Sequence, residues 1–141
     1  MCGRYTLSQP SEALAERFQL KEVPSLESQD NVAPTNSVAT VVVDQQSHKR
    51  VLKQLQWGLI PSWAKDPKIG SKMINARAET VSEKPSFRAA FRHRRCLVLA
   101  DGFYEWQRSQ GKKQPYYIRM KDGNPLPLPG CGSIGKVQMA V

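Results

Sequence analysis

Arg95-Cys96-Leu97-Val98-Leu99-Ala100-Asp101-Gly102-Phe103-Tyr104-Glu105-Trp106 is the stretch on which the reading of the fold turns. Cys96 to Ala100 is a short apolar run and predicts a strand. Asp101-Gly102 is a strong turn pair, and Phe103 to Gln107 then returns as a second strand. On that strand Phe103 and Glu105 share one face while Tyr104 and Trp106 share the other. An acid on the same face as a core aromatic is costly unless it is paired or functional. Partial burial would raise its pKa toward the range useful for proton transfer. Glu105 is therefore either an edge-strand acid paired with an arginine or a catalytic acid/base.

The same pattern repeats outward. Val38 to Val43 is β-branched, Asp44 to Arg50 is a polar turn containing His48, and Val51 to Trp57 reads as the returning strand of a hairpin. Gln110 to Lys113 is another turn, before a strand over Pro115 to Met120. Two helices are predicted, one over Gln9 to Phe18 capped by Ser8 and one over Pro85 to Arg95. Lys21 to Asn36 and Gly58 to Lys72 read as loops, the second carrying Trp63, which either packs on the core or serves as a ligand platform. The sum is an α+β fold built on a curved, largely antiparallel sheet with flanking helices.

The 141 residues make one domain. Lys and Arg number 21 against 12 Asp and Glu, a net charge of +9 that favours polyanions through salt-sensitive contacts. Lys84, Arg88, Arg92, Arg94 and Arg95 fall within twelve acid-free residues, as a solvated helix face or a phosphate-binding one. No apolar run approaches the ~20 residues that span a bilayer, and the start lacks the apolar core of a signal peptide. The three cysteines (Cys2, Cys96 and Cys131) fit neither a disulfide framework nor a zinc site. The expectation is a soluble monomer in a reducing compartment, with no metal, cofactor or membrane partner. His48 and His93 are isolated and read as surface residues.

The chain opens Met1-Cys2-Gly3-Arg4, and removal of Met1 would give Cys2 a free α-amine beside its thiol. The two groups ordinarily titrate near ~7.7–8.0 and ~8.5. Such a 1,2-aminothiol condenses with an aldehyde and then closes a five-membered thiazolidine. If Met1 stays, Cys2 is a passenger. In Ile74-Asn75-Ala76-Arg77-Ala78-Glu79, an extended backbone would align Asn75, Arg77 and Glu79 on one face. The amide suits an amine or a sugar oxygen, and the guanidinium suits a phosphate.

Together, Met1 to Tyr5, Asn31-Val32-Ala33-Pro34-Thr35, Trp57-Gly58-Leu59-Ile60-Pro61-Ser62-Trp63, Ile74 to Thr80 and Arg95 to Trp106 resemble the SRAP domain. This is the SOS response-associated peptidase family, whose members process abasic sites in DNA. The resemblance implies a barrel-like antiparallel sheet, with Cys2 as the nucleophile that captures the abasic sugar in single-stranded DNA as a thiazolidine crosslink. It implies that Asn75 places the amine and the sugar and that Glu105 shuttles protons. Arg4 and Arg77 become phosphate ligands, and Trp63 and Trp106 become aromatic contacts on the DNA path. Arg88 and Arg92 extend the basic groove. Autocatalytic removal of the N-terminal segment underlies the peptidase name. The implied compartment is the bacterial cytoplasm around the nucleoid, or the nucleus of a eukaryote. Two rival functions stay open: a noncatalytic nucleic-acid-binding module, and an N-terminal-nucleophile peptidase acting on peptides.

The resemblance covers roughly residues 1–125, a partial SRAP domain lacking the family's further active-site His, which neither His48 nor His93 matches. Residues 126–141 depart from the family pattern as a tail. A shifted reading frame of Leu126 to Ser133 can yield Ala-Ile-Ala-Gly-Leu-Trp-Glu, a family-like strand, so the tail is read as frameshifted. Such a tail would leave the sheet without its last strands. An intact in-frame gene sequence would end that idea.

Overall fold

The computed structural model describes residues 2–109, 111–132 and 138–140. Among the described residues, nine strands form two sheets, accompanied by two α-helices. The first sheet runs β2 (Gln29–Val32), β1 (Tyr5–Leu7), β6 (Gly102–Ser109), β7 (Lys112–Arg119). The second is a closed ring in which β3 (Ser37–Val43), β4 (Arg50–Trp57), β9 (Gln138–Ala140), β8 (Leu126–Gly132) and β5 (Arg95–Ala100) pair in turn and β5 returns to β3. All these pairings are antiparallel except β4 with β9.

The β3–β4 hairpin forms as expected, with Val38 opposite Leu55 and Val42 opposite Val51. Asp101-Gly102 does not join a hairpin. Val98 of β5 already faces Thr40 of β3 and Leu128 of β8, so neither edge of β5 is left for β6. The chain instead turns a corner from ring to sheet, and β6 pairs with β1 and β7. The Asp101 N–H donates to the Thr6 carbonyl at 2.8 Å, and the Ser8 hydroxyl donates to the Asp101 carboxylate at 2.7 Å. Ser8 is thus engaged at this corner and does not cap helix α1 (Ser11–Phe18), whose N-cap position is Pro10.

Other elements move at their ends. The stretch Lys21 to Asn36 contains β2, which leaves Gln29, Asp30 and Asn31 exposed and so carries no apolar alternation. The loop Gly58 to Lys72 contains a 3-10 helix over Pro67–Lys72. Helix α2 (Pro85–His93) stops short of Arg95, which opens β5. Leu126–Gly132, in the stretch set apart as a tail, pairs along β5 from Leu126↔Ala100 to Cys131↔Arg95. Pro127 and Pro129 lie two apart in β8, so both missing donors fall on one edge. Along β8, the described part of β9 pairs with Cys131 and Gly132, and a donorless edge is tolerated before them.

Trp57, Tyr5, Leu14, Leu99, Val32, Val38 and Val98 are fully buried in one core between ring and sheet. Thr40 is buried among them with its hydroxyl bonded to the Lys53 carbonyl at 2.7 Å. Cys96 faces Gly130 and joins this core, whereas Cys131 faces Arg95 and lies with Leu59 and Ala90 beneath α2. Cross-strand partners share a face, so the two thiols lie on opposite sides of the sheet and cannot bridge. All three cysteines are thiols.

Burial pushes Cys96 up to about 12, with Cys131 adding to the shift, and pushes Cys131 up to about 11 against a partial pull from Arg94. Unfolded thiols ionise near ~8.5, so above that pH the unfolded chain loses protons that the folded chain keeps. Stability is then lost as pH rises from about 8.5 toward 11–12, by up to about 1.4 kcal/mol per pH unit per thiol. Urea midpoints between pH 7 and 10.5 test this: the wild type is expected to fall more steeply than a Cys96→Ala, Cys131→Ala double variant.

Candidate active site

Strand β1 sets the position of the N-terminal segment. Tyr5 pairs with Phe103 and Thr6 with Gly102. The Tyr104 N–H donates to the Arg4 carbonyl at 2.9 Å, which carries the same register one residue toward Cys2. Tyr5 is anchored by its burial and by packing on Trp57, ring centroids 5.6 Å apart. Cys2 emerges half-buried at the edge of the core. Its thiol contacts the Arg4 carbonyl at 3.6 Å.

Asn75 reaches the same place from another element. Its Nδ2 donates to the Cys2 carbonyl at 2.7 Å. The backbone carrying it is tied down on both sides of the preceding loop. The Trp57 indole donates to the Ile74 carbonyl at 2.7 Å, and the Leu59 N–H donates to the Met73 carbonyl at 3.0 Å. Gly58 (φ 137°) and Gly70 meet backbone to backbone, where a Cβ on Gly58 would lie 2.6 Å from the Gly70 carbonyl oxygen. This close approach is what Gly58 of the Trp57–Trp63 block and Gly70 permit.

The expected extended face of Asn75, Arg77 and Glu79 does not form. The chain turns at once, with Thr80 and Val81 N–H groups donating to the Arg77 carbonyl at 3.1 and 2.9 Å. Arg77 is exposed at the start of that turn, two residues after Asn75.

Glu105 is half-buried on β6 opposite Tyr116. The predicted alternation holds: Phe103 packs on the core, while Tyr104 and Trp106 pair on the other face with centroids 6.5 Å apart. Burial pushes the Cys2 thiol above its ordinary pKa, and the Glu105 carboxylate pushes the same way, opposed in part by backbone hydrogen bonding at Arg4. The thiol is consequently neutral at pH 7. Asn75 thus bonds to Cys2 and Glu105 acts on its thiol, each from a separate part of the chain.

The remaining predicted residues divide. Arg4 is exposed beside Cys2, its guanidinium donating to the Asn31 side chain at 2.9 Å. Asn31 escaped the site reading because nothing in its local pattern tied it to Arg4. Trp106 is 44% exposed, one residue beyond Glu105. Trp63 is 58% exposed on the rim of a small open cleft shared with Pro85, Ser86, Ala89 and Arg94 of the α2 region. Arg88 and Arg92 are exposed on α2, and no described contact links them to Cys2. Among the described residues no cluster of His, Cys, Asp and Glu could hold a metal ion.

A closed ring stands beside an open sheet, and Cys2 sits bonded to Asn75 with Glu105 close enough to act on its thiol. The profile of the SOS response associated peptidase (SRAP) family matches residues 1–137, and the chain belongs to that family. It is 46% identical over 134 residues to the abasic site processing protein YoqW of Bacillus subtilis, an alignment covering 92% of this chain and 59% of that one. A 79-residue stretch, 53% of this chain and 24% of its relative, is 52% identical to the abasic site processing protein HMCES of Xenopus tropicalis. A crystal structure of a protein from Bacteroides thetaiotaomicron superposes with a TM-score of 0.81 at 25% identity, covering 99% of this chain and 67% of that one. The chain thus spans 59% of the length of the Bacillus relative.

Proposed function

We propose that this chain captures abasic sites in single-stranded DNA as a covalent thiazolidine at Cys2, once Met1 has been removed. The observation that carries the reading is the meeting of Asn75 and Glu105 at Cys2, in a chain whose relatives are named abasic site processing proteins.

The order of steps follows from the protonation states. A buried, neutral thiol is a poor first nucleophile, whereas an α-amine near ~7.7–8.0 is substantially deprotonated at pH 7–8. The amine therefore attacks C1′ of the ring-opened sugar, and loss of water gives an imine. Glu105 delivers the proton that lets the hydroxyl leave. The thiol then adds to the imine carbon, its proton passing to nitrogen, and the five-membered ring closes. One water is lost overall. Asn75, bonded to the Cys2 carbonyl, holds the residue so that its nitrogen and sulfur reach the same carbon.

Arg4 and Arg77 bind flanking phosphates, and the exposed rings of Trp63 and Trp106 stack on bases, so binding is salt-sensitive and tolerant of sequence. Arg88 and Arg92 extend that basic surface. No helix among the described residues is long and apolar enough to cross a membrane. The chain acts as a monomer with neither metal nor cofactor.

Glu105→Gln removes the proton carrier while keeping the shape. Crosslinking to an abasic oligonucleotide is expected to slow by ~10²-fold or more, with half-saturating DNA concentration little changed. A wild-type rate in that variant would exclude Glu105 from the chemistry.

A further inference from the structure

We propose that Thr6, Gly102 and Tyr117, assisted by the Ser8–Asp101 pair, form a register lock on β1 that sets where Cys2 sits. The proposal rests on the crosslinking role of Cys2 and makes these residues positioning residues, not catalytic ones.

β1 has only three residues, and its register with β2 is irregular, Tyr5 facing Val32 while Leu7 faces Gln29. Short, irregular pairing specifies register weakly, and a one-residue slip would turn every β1 side chain to the opposite face. Such a slip would also carry Cys2 about 3.3 Å along the sheet, away from Asn75. Something must hold the register.

Tyr117 supplies one hold. It belongs to β7, two strands away from β1, and stands opposite Tyr104, ring centroids 5.1 Å apart. Its hydroxyl nevertheless meets the Thr6 hydroxyl at 2.6 Å. The ring reaches there by lying across Gly102, where a Cβ would be 2.7 Å from Cζ and 2.8 Å from the hydroxyl of Tyr117. Gly102 has no positive φ, and a Cβ there would also lie 2.6 Å from the Ile118 carbonyl oxygen, so its lack of a side chain serves both this crossing and the close approach of β7. Thr6 is the one buried polar side chain of β1.

The second hold is at the other end of the strand. Ser8 donates both its N–H and its hydroxyl to one Asp101 carboxylate oxygen, while the Asp101 N–H donates to the Thr6 carbonyl. Slipping β1 by one residue would break each of these bonds. Beyond the lock, the chain runs through Arg4 to Cys2 with the Tyr104–Arg4 bond as its last ladder contact.

The test uses Thr6→Val, Thr6→Ser and Tyr117→Phe in the full chain, with near-UV circular dichroism establishing that each is folded. Thr6→Val and Tyr117→Phe are expected to slow maximal crosslinking of abasic single-stranded DNA by roughly ten- to a hundredfold, the scale of a 1 Å misplacement, with half-saturation unchanged. Thr6→Ser, which keeps the hydroxyl, restores the rate to within about threefold of wild type. Iodoacetamide labelling of Cys2, located by peptide mass mapping, is expected to accelerate in the two slowed variants and not in Thr6→Ser. Folded Thr6→Val and Tyr117→Phe with wild-type crosslinking and labelling would overturn the lock. If the wild type captures no abasic DNA, the crosslinking role fails, and the labelling alone still decides whether the register is held.

Discussion

Cys2→Ala is expected to eliminate every crosslink to abasic DNA that survives denaturation. Alanine also permits removal of Met1, so the variant keeps a free amine at the same place. That amine still forms an imine with the opened sugar, but without sulfur the ring cannot close and hydrolysis reverses the step. Borohydride should trap the imine from Cys2→Ala, whereas the wild-type product forms without reductant. Salt-sensitive association should be spared, because the proposed phosphate contacts of Arg4 and Arg77 and the proposed stacking on Trp63 and Trp106 are untouched. Denaturing electrophoresis with and without borohydride reads all three outcomes. A heat-stable adduct in unreduced Cys2→Ala would place the nucleophile elsewhere.

The second large effect lies in the core. Trp57 is fully buried, packs on Tyr5 and bonds to the Ile74 carbonyl, so it links the strand that follows Cys2 to the segment carrying Asn75. Trp57→Ala is expected to cost about 3–5 kcal/mol, a large share of the ~5–15 kcal/mol that holds such a domain folded. Urea denaturation measures it. Trp57→Phe keeps most of the ring and removes the indole donor, leaving the Ile74 carbonyl without its partner. It should cost about 1–3 kcal/mol and slow crosslinking more than the lost stability explains. A Trp57→Phe chain as stable and as active as wild type would show that Asn75 is placed by other contacts.

Much of the fold was legible where the chemistry is local. The β-branched run Val38 to Val43 and the return through Trp57 form the predicted hairpin, and the alternation of Phe103 to Trp106 places rings and acid on their expected faces. The pairing beyond that hairpin, at the Asp101-Gly102 turn, was not legible. Asp101-Gly102 has the composition of a hairpin turn, yet β5 has both edges occupied, so the dipeptide becomes a corner and Gly102 a crossing point for Tyr117. Which edges are occupied depends on residues dozens of positions away.

The site shows the same division. Cys2, Asn75 and Glu105 could be singled out by residue type and by family resemblance, and the structure brings them together. The shared face that an extended backbone would have given Asn75, Arg77 and Glu79 does not arise, because that segment is held by Trp57 and Leu59 and by the Gly58–Gly70 contact, none of which its own six residues encode. β2 was hidden because three of its four side chains face solvent, and Asn31 with it. The two prolines of β8 argue locally against a strand, and only the limited pairing of β9 makes them compatible with one.

The central claim is that the nitrogen and sulfur of a terminal Cys2 together trap an opened sugar. Intact-protein mass spectrometry after incubation with an abasic single-stranded oligonucleotide tests it most directly. The predicted species has the mass of the chain without Met1, plus the oligonucleotide, less one water. An unchanged mass, or an equal adduct with undamaged oligonucleotide, would contradict the account.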